Sequence, residues 1–260
     1  MNDIAKFNAQ RMHEIREQAA DKELRDLTGA WIAKAAEHNY SYHFDWLGRP
    51  IIQHPQDMIA MQQLLWTVQP DLIVETGIAR GGSLIFYASL LELIAQCGGK
   101  QDAKVLGIDI DIRPHNKKEI LDHPMSKRIE LIEGSSVSTE TFEMVSNKAR
   151  GQEKVLVCLD SDHTHAHVLE ELKLYSTLVS EGSYCVVFDT VVEDFPEKLS
   201  ASRPWGKSDN PKTAVWEFLD WQTKNALFDN AGQKIVFSID KEMENTLLIT
   251  VAPDGFLKRI

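Results

Sequence analysis

Asp71-Leu72-Ile73-Val74-Glu75-Thr76-Gly77-Ile78-Ala79-Arg80-Gly81-Gly82-Ser83 is the stretch on which the fold turns. Asp71 to Glu75 is a short apolar run closed by an acid. Gly77 to Gly82 is a glycine-bearing turn, and Ser83 to Gln96 carries an apolar pattern of helical length. Strand, turn and helix in that order open a parallel crossover unit. Downstream the unit repeats: apolar runs at Lys104–Asp109, Arg128–Ile132, Lys154–Asp160 and Ser183–Asp189 are separated by helical segments. One of these segments, 165–180, has Val168, Leu172, Tyr175 and Val179 on one side. Near-continuous apolarity within each run is expected when helices cover both faces of a parallel sheet.

Past residue 212, a helix at Thr213–Asn225 precedes two further predicted strands, Lys234–Ile239 and Thr246–Val251, read as an antiparallel hairpin closing one edge. Upstream, Ile4, Phe7, Met12, Ile15 and Ala19, and then Leu24, Leu27, Trp31 and Ile32, fall at roughly helical spacing. An aromatic loop over 40–50 follows, then a helix over 55–68 with Pro55 and Asp57 as start signals. The expected fold is α/β, a doubly wound, mostly parallel sheet with an antiparallel C-terminal edge hairpin. Residues 1–54 form a helical extension capping the active site or an oligomer contact, and 55–260 form the main domain. No repeat, low-complexity tract or linker divides the 260 residues.

Composition narrows the function classes. Hydrophobic residues make up 43% and charged residues 26%, enough apolar material for a core without staples. The formal charge is -11, and no basic run offers a nucleic-acid face. Cys97, Cys158 and Cys185 fit no metal-knuckle or redox spacing. Cys158 and Cys185 lie inside core-strand runs and read as buried small hydrophobes. The polar start of the chain is unlike a signal peptide, and no apolar run approaches the ~20 residues that span a bilayer. The expectation is a cytoplasmic protein with no nucleic-acid or membrane partner.

In open α/β sheets ligands bind beyond the carboxyl ends of the strands. Glu75, Gly77, Gly81 and Ser83 fall there, and Gly81-Gly82 lets backbone approach a ligand where the helix N-terminus favours a carboxylate, such as that of a methionine. Asp109 ends the next strand and suits two ribose hydroxyls. Glu133-Gly134-Ser135-Ser136 ends the third, where an adenine would lie. NAD uses a similar acidic residue; Glu75 before the glycines and the Gly81-Gly82-Ser83 helix start argue against it.

Asp160 and Asp189 end the fourth and fifth strands, so the parallel sheet brings two carboxylates to one rim. Hard oxygen ligands there suit Mg²⁺, with Asp162 as a further candidate. A cation at that rim holds and acidifies an acceptor hydroxyl. His163, three residues after Asp160, is placed to take its proton. His163, His165 and His167 do not supply enough ligands for zinc, and His165 and His167 read equally well as surface or satisfied helix residues.

Trp46-Leu47-Gly48-Arg49-Pro50-Ile51-Ile52-Gln53, Pro70 to Gly77 with Gly81-Gly82-Ser83, and Leu159-Asp160-Ser161-Asp162-His163-Thr164-His165 resemble the cephalosporin hydroxylase family. So do Pro204-Trp205-Gly206, Asn210-Pro211 and Asp254-Gly255-Phe256-Leu257-Lys258-Arg259, and the resemblance spans roughly 40–260. That family looks like class I, Rossmann-like methyltransferases, similar to rhamnosyl and macrolide-sugar O-methyltransferases. The resemblance implies S-adenosylmethionine bound by Glu75, Gly77, Gly81, Ser83, Asp109, Ser135 and Asp160. It also implies Mg²⁺ on Asp160 and Asp189, catalysis by His163, a homo-oligomer, and hydroxyl acceptors on sugars or natural products. Relatives end the fifth strand with a Glu-Asp pair as metal ligands; here the pair reads Phe188-Asp189, so the Glu is missing. The resemblance also implies a lid over 190–212, where Arg203 and Trp205 would meet the acceptor.

Two other readings compete with methyl transfer. A hydroxylase of the iron–oxoglutarate type needs two histidines and a carboxylate on a different scaffold, which the α/β alternation opposes. A non-catalytic cofactor-binding subunit supporting a partner enzyme is compatible with the missing Glu.

Overall fold

Alternating side chains make two cores out of one sheet. The computed structural model describes residues 3–229 and 232–260. Helices α1 (Asp3–Ala20) and α2 (Lys22–Ala36) lead into a small antiparallel hairpin, β1 (Phe44–Trp46) and β2 (Arg49–Ile51). The crossover units follow: α3 (Pro55–Val68), β3 (Leu72–Thr76), α4 (Gly82–Gln96), β4 (Lys104–Asp109), α5 (Pro114–Asp122), β5 (Ile129–Glu133) and α6 (Thr139–Ala149). Then come β6 (Val155–Leu159), α7 (His165–Tyr175), β7 (Tyr184–Val187) and α8 (Pro211–Lys224). The chain closes with β8 (Leu227–Phe228), β9 (Lys234–Ile235), β10 (Phe237–Ile239), α9 (Lys241–Leu247) and β11 (Phe256–Arg259).

Seven strands form one sheet in the order β10-β11-β7-β6-β3-β4-β5. The five from β7 to β5 are parallel, while β11 and β10 run antiparallel at the edge. Ile73, Leu156 and Cys158 face one core, with α3 and α4. Leu72, Val74, Val155, Val157 and Leu159 face the other, with α7 and α8. Each strand therefore needs apolar residues at successive positions, which is why the runs read as continuous. The chain goes outward from β3 through β4 to β5 and returns to β6 on the other side of β3, so the sheet changes direction between β3 and β6. That switch point is where such sheets open a ligand crevice.

The expected edge hairpin is there, but its second strand lies elsewhere. Thr246–Val251 is not a strand: α9 occupies 241–247, started by Asp240, whose carboxylate accepts from the Glu242 and Met243 N–H groups. β10 pairs instead with β11, and Lys234–Ile235 pairs with β8. The apolar run Leu247–Val251 misleads because it is anchored by a single carboxylate rather than by a ladder. Asp57 on α3 accepts from the Thr250 hydroxyl and the Val251 N–H. Short apolar runs carry no period that separates the two outcomes.

Asp57 is fully buried, and burial pushes its carboxyl up to about 7 against the pull of those two hydrogen bonds. Between the unfolded carboxyl value and that folded value the native state holds a proton the unfolded chain has lost, so this residue costs stability as pH rises from about 4 to about 7. Asp57→Asn removes the titration. Its melting temperature relative to wild type is expected to climb steadily over that window and level off above it. A pH-independent difference in thermal scans would refute this.

Cys158 and Cys185 are buried, as expected from their strand positions, and Cys97 is exposed. No helix among the described residues is long and apolar enough to cross a membrane.

Candidate active site

The crevice at the switch point is built by the ends of β3, β4 and β6. Gly77, φ +79°, follows β3, and a Cβ there would lie 2.1 Å from the Asp160 carbonyl oxygen. Only glycine lets the β3 and β6 exits pass this closely. Two adjoining cavities result. One, of about 390 Å³, is walled by Gly77, Asp109, Ile110, Ser135, Ser136 and Trp205. The other, of about 210 Å³, is walled by Tyr42, Gln53, Ser83, Asp160, His163 and Asp189. Gly77 and Ser161 line both, so the two are halves of one groove over the switch point.

The first half suits a nucleoside. Asp109 ends β4 with its carboxylate held by the Ile78 N–H at 3.0 Å and the Asp111 N–H at 3.1 Å. Each carboxylate oxygen keeps a lone pair for a further donor, as a pair of vicinal hydroxyls would require. Exposed Ile110 and the serines after β5 flank it. His167, which sequence alone does not single out from surface or satisfied helix residues, also lines this half. Its Nε2 lies 3.0 Å from Ser136 Oγ and 3.1 Å from Ser161 Oγ, and Glu171, fully buried one turn on, sits 3.4 Å away. The hydrogen bond to Glu171 raises the His167 pKa. The signal that could have found it is the His167–Glu171 spacing on α7, which puts both on one face.

In the second half, Asp160, His163 and Asp189 each offer a ligand atom within 4.8 Å of the others. His163 Nε2 lies 3.2 Å from Asp189 Oδ2. Asp189 takes φ +54°, the left-handed region that aspartate tolerates better than most non-glycine residues. Burial pushes the Asp160 carboxyl well up, and the strongest charges acting on it, Asp189, Glu75, Glu171 and Asp57, are all carboxylates. A half-buried carboxylate among other carboxylates is relieved by a cation, and hard oxygen donors favour a divalent one. The donors present therefore fit Mg²⁺. Phe188, at the place of the missing Glu, is core at 1% exposure. Asp162 lies outside that cluster: it walls the other half of the groove, with its Oδ1 accepting from the Thr164 N–H and hydroxyl at 2.8 and 2.6 Å. His163 occupies the third position of the cluster.

Other predicted residues fall less simply. Glu75 is not in the wall of the groove. It is fully buried beneath the turn, accepts from Ser83 Oγ at 2.8 Å and is pushed up to about 8 by burial. Ser83 occupies one of its oxygens, while the other, Oε1, is buried without a hydrogen-bond partner; Gly81 packs outward against Ile120. The expectation that Glu75, Asp109, Asp160 and Asp189 gather round one crevice thus holds for the last three, with Glu75 underneath. Trp205 lines the nucleoside half, its ring meets His163 edge-on at 4.8 Å, and the Arg203 guanidinium lies over the ring at 5.4 Å. The 190–212 segment is pinned by Glu193, which accepts from the Ser208 N–H and the Asn210 side chain, and by Lys212 paired with Asp194. From the opposite side Gln53, 6% exposed, brings an Oε1 without a hydrogen-bond partner. His163 precedes α7, whose N-cap is Thr164, so it does not share a helical face with His167.

The sequence profile of the family described as Rhamnosyl O-methyltransferase/CmcI matches residues 38–260. The rhamnosyl O-methyltransferase of Mycobacterium tuberculosis H37Rv is 32% identical over 209 residues, covering 78% of this chain and 73% of that protein. The Mycobacterium leprae rhamnosyl O-methyltransferase is 31% identical over 154 residues, covering 58% of this chain and 62% of that protein. A solved structure of CmcI with Mg and SAM superposes with TM-score 0.56 at 22% identity, covering 84% of this chain and 77% of that one, which shows a shared fold. The motifs from Trp46 to Arg259 point to the same family, and the profile covers all of them: the chain belongs to the Rhamnosyl O-methyltransferase/CmcI family.

Proposed function

We propose that this protein is an S-adenosylmethionine-dependent O-methyltransferase, assisted by a divalent cation, that methylates a hydroxyl of a sugar or sugar-bearing natural product. One observation carries the reading: Asp160, His163 and Asp189 converge in one half of a groove whose other half presents Asp109, Ser135 and Ser136. Family membership supports the same chemistry, since relatives are rhamnosyl O-methyltransferases.

The residues divide the work. Asp109 accepts from the ribose hydroxyls, Ile110 and Ser135 flank the base, and Gly77 and Ser83 border the methionine end. Asp160 and Asp189 would hold the divalent cation, which when bound would supply Lewis-acid polarisation and lower the acceptor hydroxyl's pKa. His163 Nε2 accepts the hydroxyl proton while the acceptor oxygen forms its bond to the methyl carbon. The carbon–sulfur bond breaks, and its electrons stay on sulfur, turning the sulfonium into a thioether. Asp189 Oδ2, 3.2 Å from His163 Nε2, then accepts from the imidazolium N–H so formed. Trp205, edge-on to His163, screens the ring from water, and Arg203 and Trp205 together offer an acceptor a stacking and hydrogen-bonding surface.

The test is transfer of labelled methyl from S-adenosylmethionine to a panel of deoxyhexosides and glycosylated natural products, with and without Mg²⁺. Labelled methyl ether and S-adenosylhomocysteine are expected. Cofactor binding without transfer to any member would instead favour a non-catalytic role. Asp109→Ala is expected to weaken S-adenosylhomocysteine binding by ~1–3 kcal/mol, the worth of charge-assisted hydrogen bonds. Calorimetry showing unchanged affinity would remove Asp109 from the cofactor site.

A further inference from the structure

The turn that follows β3 is held from outside by residues far from it in sequence. Arg49, at the start of β2, donates through Nη2 to the Arg80 carbonyl and lies 3.4 Å from Asn116 Oδ1. Asn116, on α5, donates through Nδ2 to the Ala79 carbonyl at 3.1 Å. Asn116 is 6% exposed and the Arg49 side chain 12%, with Glu119 placed 3.7 Å from the guanidinium. The two outward carbonyls of the turn therefore end on a buried, fork-shaped pair. On the inner side, the Ile78 N–H donates to Asp109 and Gly81 N–H closes the turn on the Ile78 carbonyl.

The turn needs holding. Ala79 sits at φ +44°, left-handed backbone that an alanine adopts only under constraint. Ala79 also lines the half of the groove that contains Asp160 and His163. Immediately beyond, Gly82 opens α4 with its Cα against β2, where a Cβ would lie 2.1 Å from the Pro50 carbonyl oxygen. The β1–β2 hairpin is thus wedged between the helix start and α5.

We propose that Arg49 and Asn116 are positioning residues that set cofactor affinity by forcing Ala79 into its left-handed conformation. The N-terminal hairpin then belongs functionally to the cofactor site although it touches no cofactor. This rests on the reading of the Gly77–Gly82 turn as the cofactor loop. Because a trans peptide points its N–H opposite its C=O, anchoring Ala79 O on Asn116 also fixes the direction of the Arg80 N–H. Releasing the anchor lets the turn relax into a geometry that no longer fits its ligand. Lysine is a poor substitute, because one ammonium cannot reproduce the planar fork shared between a carbonyl, an amide and a carboxylate.

The test measures S-adenosylhomocysteine affinity by calorimetry and S-adenosylmethionine kinetics on the full chain. Arg49→Ala and Asn116→Ala are expected to raise Kd and KM about tenfold or more while kcat at saturation stays within about threefold, and Arg49→Lys should fail to rescue. The decisive variant is Ala79→Gly, since glycine takes φ > 0 without restraint. Combined with Arg49→Ala, it should recover most of the lost affinity, an effect that a merely structural role for Arg49 would not produce. Should Arg49→Ala lose its thermal transition, Asn116→Ala with Ala79→Gly provides the same comparison. Affinity within twofold of wild type for Arg49→Ala, or a loss that Ala79→Gly leaves unchanged, overturns the proposal. Wild-type protein that binds no S-adenosylhomocysteine would refute the cofactor reading itself and the proposal with it, a result distinct from both.

Discussion

Asp160→Asn is expected to lower methyl transfer by roughly 10²–10³-fold, to abolish Mg²⁺ dependence, and to leave S-adenosylhomocysteine binding nearly intact. Asp160 follows β6 at the switch point, shares a cluster with His163 and Asp189, and is pushed well up by burial and by neighbouring carboxylates. A cation that polarises the acceptor oxygen contributes several kcal/mol, and each ~1.4 kcal/mol is tenfold in rate. The same substitution removes a half-buried like-charge conflict. The metal-free variant should therefore melt at a higher temperature than metal-free wild type, and Mg²⁺, which should stabilise wild type by binding the native state, should no longer do so. Thermal scans with and without Mg²⁺, read beside initial rates, check both halves. Persistent stabilisation of the variant by Mg²⁺ would place the cation elsewhere.

His163→Ala is expected to be the most severe change in turnover, a loss of about 10²–10⁴-fold in kcat, the range for removal of a positioned general base. KM for the cofactor should change little, since His163 borders the half of the groove away from Asp109. Its Nε2 also belongs to the Asp160–Asp189 cluster, so two roles must be separated. If proton removal dominates, cation affinity measured with Mn²⁺ falls less than tenfold while kcat collapses, and added imidazole restores part of the rate. If ligation dominates, affinity and rate fall together, and excess cation rather than imidazole restores activity. Full activity of His163→Ala would show that another group takes the proton.

Much of the fold and of the candidate site is legible in the amino-acid order. The succession of strands and helices from Asp71 to Asp189 follows from continuous apolar runs and glycine turns, because a strand buried on both faces leaves little room for polar residues. Asp109, Asp160 and Asp189 are legible as a set for a geometric reason: parallel strands put all their carboxyl ends on one rim. The C-terminal edge is less legible. Thr246–Val251 reads as a strand, yet its end is tied down by the Asp57 carboxylate nearly two hundred residues earlier, and local composition does not encode that contact.

The sequence by itself determined the class of the fold, the family and the short segments that carry the chemistry, since these depend on local pattern and on spacing within single turns. Tertiary structure alone decided which residues line the groove and which lie behind them. It sank Glu75 beneath the turn, drew His163 to Asp189, brought His167 to Ser136, and set Arg49 on the Arg80 carbonyl and Asn116 on that of Ala79. Each of these is a contact between elements, and its energy comes from burial and from hydrogen bonds completed only once the elements have packed.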